Sequence, residues 1–271
     1  MEGEAFYHVI SRIANSAFLL KNRRAKEKIL EILVKASDFS GVDTITYVIM
    51  DNHLHLLIRV PSASAVDDTE LMRRIGVLYG KSRKDLLEER WKSLDENAVE
   101  AEKNEYRARM GDLSMFMKTA MQRFTQWFNR EYGHEGGLWC GRFKSVLVEN
   151  GEQLRTVVNY IHNNPVRARM VLRAGAYVWS ALHAARAGNV WAQRGLSLVG
   201  VDWREEVVCG KRDKRFSNGK IMGCELFVRS ILKRIPVLAY RSTRRPNCHF
   251  EYCGVQFTAS HGQRSAPRRV A

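Results

Sequence analysis

No run of 18 or more apolar residues occurs among the 271 residues, so nothing in the sequence reads as a membrane span. The first eight residues, MEGEAFYH, lack a basic segment leading into an apolar one, and no export leader is expected. Cysteine is scarce and odd in number: five, scattered at positions 140, 209, 224, 248 and 253. That argues against a disulfide framework and for reduced thiols in a cytoplasmic protein. Cys248 and Cys253, with His249 and His261 near, could hold zinc, but a C-x4-C pair without a second regular pair is poor zinc spacing. No internal repeat is present.

Acidic residues are in short supply too. Lys plus Arg number 44 against 29 Asp plus Glu, a net charge of +15 with pI near 9.8, which favours a polyanionic partner over an acidic small substrate. The excess is uneven: from Lys211 to Ala271 there are 14 basic and 3 acidic residues, about +11 of the +15. Such asymmetry is typical of a nucleic-acid-binding tail, although a solvated basic terminus would look the same. The hydrophobic content of 45% is enough for a globular core.

The chain divides into elements by period. Residues 6–12 (FYHVISR) are short, β-branched and aromatic, hence a strand. Residues 22–39 place Ala25, Ile29, Leu33 and Ala36 at helical spacing, ending near Gly41. A second strand at 44–50 meets a third at 53–60 across Asp51-Asn52, a hairpin. The segment from Thr69 to Met110 is nearly charge-balanced and rich in helix formers, and reads as an exposed helical insertion, about 62–111. From Leu113 onward, Phe116, Met117, Ala120, Met121, Phe124, Trp127 and Phe128 form a core-facing helix stripe. Residues 138–148 read as a fourth strand. Asn150 then caps a helix with Gln153 in capping-box position, and Pro165 is expected to break it. The order β-α-β-β-α-β plus one helix predicts an α+β, ferredoxin-like antiparallel sheet with helices on one face. Residues 177–183 can pack back on this domain and 224–233 form a short helix. The expected division is residues 1–174 as a catalytic domain and 175–271 as a basic extension, partly helical, its tail disordered from about Arg241.

Two stretches carry chemistry. On the third strand, Leu54, Leu56, Ile58 and Val60 share one face while His53 and His55 share the other, where two neutral imidazoles can reach one cation. A lone His-x-His is more often an ordinary polar face than a ligand pair. On the helix after the last strand, Tyr160 and Asn164 are four apart and neighbours, beside the Leu154, Val157, Val158 and Ile161 stripe, where a partly exposed packing tyrosine is the bland alternative. A phenol attacks phosphorus when the phosphate is polarised, and a divalent ion held by His53, His55 and the Asn164 amide oxygen would do that. Such coordination suits Mg²⁺ or Mn²⁺, and tolerates Zn²⁺ or Co²⁺. Arg142 and Lys144, and Arg167 and Arg169, are candidates for holding phosphates, and Trp139 and Phe143 for stacking on bases or for packing.

YHVISR (7–12), MDNHLHLL (50–57), FNREY (128–132), LWCGRFKS (138–145) and YIHNNPVRA (160–168) together resemble the ordered motifs of the single-tyrosine HUH transposases, and within them the REP-associated tyrosine transposases. The resemblance spans about residues 5–183, with the 69–110 segment longer than the family pattern. It implies His53 and His55 as the metal ligands with Asn164 the third, and Tyr160 as the nucleophile. The activity implied is cutting and rejoining of single-stranded, hairpin-associated DNA through a 5′-phosphotyrosine, without a nucleotide cofactor, by a nucleoid-associated monomer or homodimer. A domesticated hairpin-binding protein that does not cut is the alternative.

Overall fold

In the computed structural model, residues 3–62, 65–149, 151–204, 251–252 and 255–256 are described. The Cys248/Cys253 pair, the expected helix at 224–233 and the arginines at 241–245 and 264–269 lie outside them. Residues 239–271 form a separate unit, in which Glu251–Tyr252 pairs antiparallel with Val255–Gln256. No described helix is long and apolar enough to cross a membrane.

Four strands build one antiparallel sheet, β1 (Ala5–Arg12), β2 (Asp43–Ile49), β3 (His53–Val60) and β4 (Lys144–Val148), in the spatial order β2-β3-β1-β4. The fold is therefore α+β with the ferredoxin-like strand order expected. The β2–β3 hairpin turns at Asp51-Asn52, with Met50 N–H donating to the His53 carbonyl at 2.8 Å. Helix α1 (Arg23–Ser40) starts where the Asn22 side chain accepts from Arg24 N–H, and ends at Gly41, whose φ of 69° is left-handed. Its Lys26 is buried and tied to Asp51 at 2.6 Å and to the Tyr177 hydroxyl at 2.9 Å, fixing the helix to the hairpin turn.

Between β3 and β4 come α2 (Asp68–Tyr79), α3 (Lys81–Lys92), α4 (Glu96–Arg107) and α5 (Leu113–Tyr132). The first three are the expected helical segment. Leu71, Ile75, Leu78 and Leu87 form a small core of their own with Phe39 of α1. On α5, Phe116, Met117, Ala120, Met121, Phe124 and Phe128 are buried in the main core with Ile29 and Leu33 of α1, as the stripe predicted.

Three details differ from expectation. The fourth strand begins only at Lys144. Residues 138–140 instead bond locally to the end of β1, Ala14 N–H to Leu138 O and Cys140 N–H to Arg12 O, both 2.8 Å, and Gly141 at φ 119° turns the chain before pairing resumes. Helix α6 (Gly151–Arg167) is not broken by Pro165, which sits inside it. Proline deprives the Ile161 carbonyl of its donor. The amides of Asn163 and Asn164 donate to the carbonyls of Asn159 and Tyr160, both at 2.9 Å, and hold the turn just before the proline together. Gln153 does reach back, accepting from Glu149 N–H at 3.1 Å, while Asn150 lies outside the described residues.

Third, the helices do not all lie on one face. Directly paired residues share a face, so the pairings Thr46–Leu57–His8 and Val48–His55–Ile10 put His8, Thr46 and His55 on the same side of the sheet. Helix α6 covers that side: His162 hydrogen-bonds Thr46 at 2.8 Å. The opposite side, with Val9, Leu54, Leu56 and Ile58 fully buried, packs in the core with α1 and α5. The free edge of β2 is closed by residues 177–197. Ile49 N–H donates to Trp179 O at 3.0 Å, and α7 (Ala181–Arg186) and α8 (Val190–Ser197) follow. Gly195 of α8 comes so near β2 that a Cβ there would lie 2.5 Å from the Thr44 carbonyl. Residues 177–183 thus pack back on the domain, Tyr177 and Ala181 joining its core.

Candidate active site

The strand pairings set out the site. One row across the sheet reads Val48, His55, Ile10, Lys144, and its neighbour along the strands pairs His53 with Arg12. The face beneath α6 therefore carries His8, Arg12, His53, His55 and Lys144, a concentration of imidazoles and cations.

His53 and His55 lie with ring centres 5.1 Å apart. The Asn52 carbonyl oxygen accepts from His53 Nδ1 at 2.7 Å, which fixes the proton on Nδ1 and leaves Nε2 as the ligand-competent nitrogen. His55 Nδ1 shares a 3.0 Å hydrogen bond with His8 Nε2, the two rings inclined by only 17°. Burial pushes the His53 pKa down to about 4, with Arg12 reinforcing and Asp51 opposing. Burial, then the neighbouring His53, His8 and Arg12, hold His55 well below its ordinary value, and burial takes His8 to about 4. All three imidazoles are neutral at pH 7, the form that binds metal.

These residues fit a divalent cation. With metal–nitrogen bonds of about 2.1 Å and the ring centre about 1.1 Å beyond, two imidazoles at a tetrahedral angle have centres about 5.2 Å apart. The observed 5.1 Å lies between this and the roughly 4.5 Å expected at the 90° angle of an octahedral ion, so both rings are within reach of one cation. Among the described residues no group of three His, Cys, Asp or Glu could hold a metal. Asn164, the third ligand expected, is buried on α6. Its amide nitrogen is committed to Tyr160 O, leaving Oδ1 as acceptor.

Tyr160 is carried by α6 onto this group. Its ring centre is 5.8 Å from that of His55 and 5.7 Å from that of His8, edge-on to both, and the Arg167 guanidinium lies 5.2 Å over its face. It is 3% exposed, not partly exposed as its place beside the apolar stripe predicts, because the strand face under α6 is itself roofed over. The structure thus brings His53, His55, Tyr160 and Arg167 together, with Asn164 one turn along the same helix.

The remaining basic residues divide. Lys144 faces the histidine side, where burial and then Arg12 lower its pKa. Arg142, two residues earlier, precedes the strand and bonds Ser114 of α5 at 3.0 Å, with Phe143 beneath its guanidinium. Both line a groove of about 380 Å³ with Tyr7, Leu113 and Ser114. Arg169 is exposed just past α6, at a left-handed φ of 57°. Trp139 packs on Phe124 and donates to Thr125 Oγ1 at 3.1 Å, so its ring is structural. Sequence reasoning assigned no role to His8, Arg12 or Asn52. The signal for His8 was its place in YHVISR, but only the cross-strand register shows that it faces His55.

The site is thus a histidine pair on an inner strand, opposed by a tyrosine from a helix laid across that strand. Residues 3–100, which contain both histidines, match the family described as "Transposase IS200 like". Tyr160 and Asn164 lie beyond the matched residues. Among solved structures, a REP-associated tyrosine transposase bound to a REP hairpin is similar at 16% identity, over 82% of this chain and 94% of that one, with a TM-score of 0.43. No curated protein matches the chain.

Proposed function

We propose that this protein cleaves and rejoins single-stranded DNA beside a hairpin, with Tyr160 as nucleophile. The observation that carries the reading is the seating of the Tyr160 ring against His55, 5.8 Å between centres, by a helix distant in sequence from the histidine strand. The Tyr160 oxygen attacks the scissile phosphorus and the bond to the 3′ oxygen breaks. The phenol gives up its proton to solvent, the departing 3′ oxygen takes up a proton to become a free 3′-OH, and the 5′ phosphate stays joined to Tyr160; attack by a 3′-OH reverses the step. His53, His55 and Asn164 would hold a divalent ion, Mg²⁺ or Mn²⁺, which when bound would supply positive charge to polarise the phosphate. Arg167, already over the tyrosine ring, holds the phosphate in line, and Arg12 and Lys144 take flanking phosphates. Arg142 and Arg169 meet the backbone further from the cut.

We assign the chemistry to residues 1–174, with 62–111 an insertion and 175–271 an extension whose positive charge raises affinity for DNA in a salt-dependent way. The test is cleavage of hairpin-bearing oligonucleotides labelled at either end, in Mn²⁺. A new 3′-OH fragment that is lost in Tyr160→Phe and in His55→Ala supports the reading. Folded protein that cuts none of a panel of hairpins contradicts it. A second reading, hairpin binding without cutting, draws on the burial of Tyr160. It predicts tight, metal-independent binding unchanged by His53→Ala.

A further inference from the structure

His8 lies on the central strand, diagonal to His55 in the β1–β3 ladder: it pairs with Leu57 while His55 pairs with Ile10. Its side chain is 3% exposed. It is not placed to share an ion with His55 through the nitrogen that faces it. The 3.0 Å separation between His8 Nε2 and His55 Nδ1 is a hydrogen bond, and a hydrogen bond between two imidazole nitrogens holds one proton and no metal. That proton has two possible homes. If His8 donates, His55 must accept at Nδ1 and carry its own proton on Nε2, which blocks Nε2 as a ligand. If His55 donates, His8 accepts and Nε2 of His55 is free.

We propose that His8 is a positioning residue that accepts a hydrogen bond from Nδ1–H of His55, fixing the tautomer in which Nε2 of His55 is the metal-binding atom. The near-parallel rings, 17° apart, show that the bond also sets the plane of His55. The arrangement mirrors Asn52 and His53, where an amide oxygen accepts from Nδ1 at 2.7 Å. Each of the two histidines thus has its own acceptor from the protein, one from the turn before β3 and one from the neighbouring strand. The His8 ring further abuts Tyr160 at 5.7 Å, so one side chain braces both the ligand and the tyrosine. This inference rests on the reading of His55 as a ligand, and a first measurement on the metal-free protein tests it without that reading.

Long-range proton–nitrogen correlation spectra of the full chain, labelled on histidine, report which nitrogen of His55 bears the proton. The expected result is Nδ1–H in the wild type and in His8→Gln, whose side-chain oxygen can accept in place of Nε2, and a mixed or reversed tautomer in His8→Leu. Nε2–H on His55 of the wild type overturns the proposal outright. Mn²⁺ affinity by calorimetry, on variants whose circular dichroism is native, is the second arm. His8→Leu should weaken binding by about 10- to 100-fold and His8→Gln restore it to within about threefold. Equal weakening in His8→Gln and His8→Leu, or none in His8→Leu while His55→Ala abolishes binding, overturns the role of His8 and leaves the site intact. Mn²⁺ binding undiminished in His55→Ala contradicts the site reading instead.

Discussion

Changing Thr46 to valine keeps the shape of a buried β2 side chain and removes the hydroxyl that bonds His162 at 2.8 Å. His162 is fully buried on the helix that carries Tyr160, and its Nδ1 already lacks a partner. The variant leaves both ring nitrogens of a fully buried imidazole without a protein partner, a cost of about 1–3 kcal/mol. For a domain of this size that lowers Tm by roughly 2–4 °C per kcal/mol. His162→Leu is the informative counterpart. It removes two buried polar nitrogens, one of them unpartnered, and leaves only the hydroxyl of Thr46, so it should cost less than Thr46→Val. With both changes the two partners vanish together, and the double variant should retain about 0.5–3 kcal/mol more stability than the sum of the singles predicts. Urea denaturation of the full chain, followed by circular dichroism and tryptophan fluorescence, measures all three. Losses that add to within about 0.5 kcal/mol would falsify the argument that this bond docks α6 on the sheet.

Other outcomes follow from the same geometry. Gly195→Ala would drive a methyl into the Thr44 and Ile45 carbonyls of β2, with no flexible side chain to yield, and should cost about 1–3 kcal/mol or more in thermal unfolding; an unchanged Tm contradicts the close packing of α8. The pKa values of buried His8, His55 and His162 and of partly buried His53 all lie below the ordinary 6.5, His162 at about 3. The unfolded chain therefore takes up protons first, and stability that is whole above pH 6.5 is lost progressively as pH falls toward 4. Tm should be level above about pH 7 and decline below 6.5, and a flat profile down to pH 5 would show these rings to be solvated. Lys144→Ala, on the histidine face, should weaken binding to all single strands alike and reduce the salt slope of log K by about 1; an unaltered slope removes Lys144 from the DNA path.

Much of the fold was written in local pattern. The α5 stripe, the Asp51-Asn52 hairpin and the α1 boundaries follow from period and capping, which act over a few residues. The alternation of β3 correctly put His53 and His55 on one face, yet that face was expected to be open. Leu57, apolar and on the same face as the histidines, was the sign that something covers it. Pro165 misled because helix breaking depends on what supports the neighbouring turn, and two asparagine amides do so here. The partnership of His8 and His55 spans 47 residues and depends on strand register, which no short window contains. Tyr160 could be singled out by its spacing to Asn164, but its burial and its contact with Arg167 come from how α6 lies on the sheet.

The account stands on one bond: DNA joined to the phenol of residue 160. Wild-type protein incubated with a hairpin-bearing single strand and Mn²⁺, then denatured, digested and analysed by mass spectrometry, should yield a peptide spanning Thr156 to Arg167 with a nucleotide phosphate on Tyr160, absent in His53→Ala and when metal is chelated. A nucleotide found on another residue, or cleavage that persists with no protein-linked product, would contradict it.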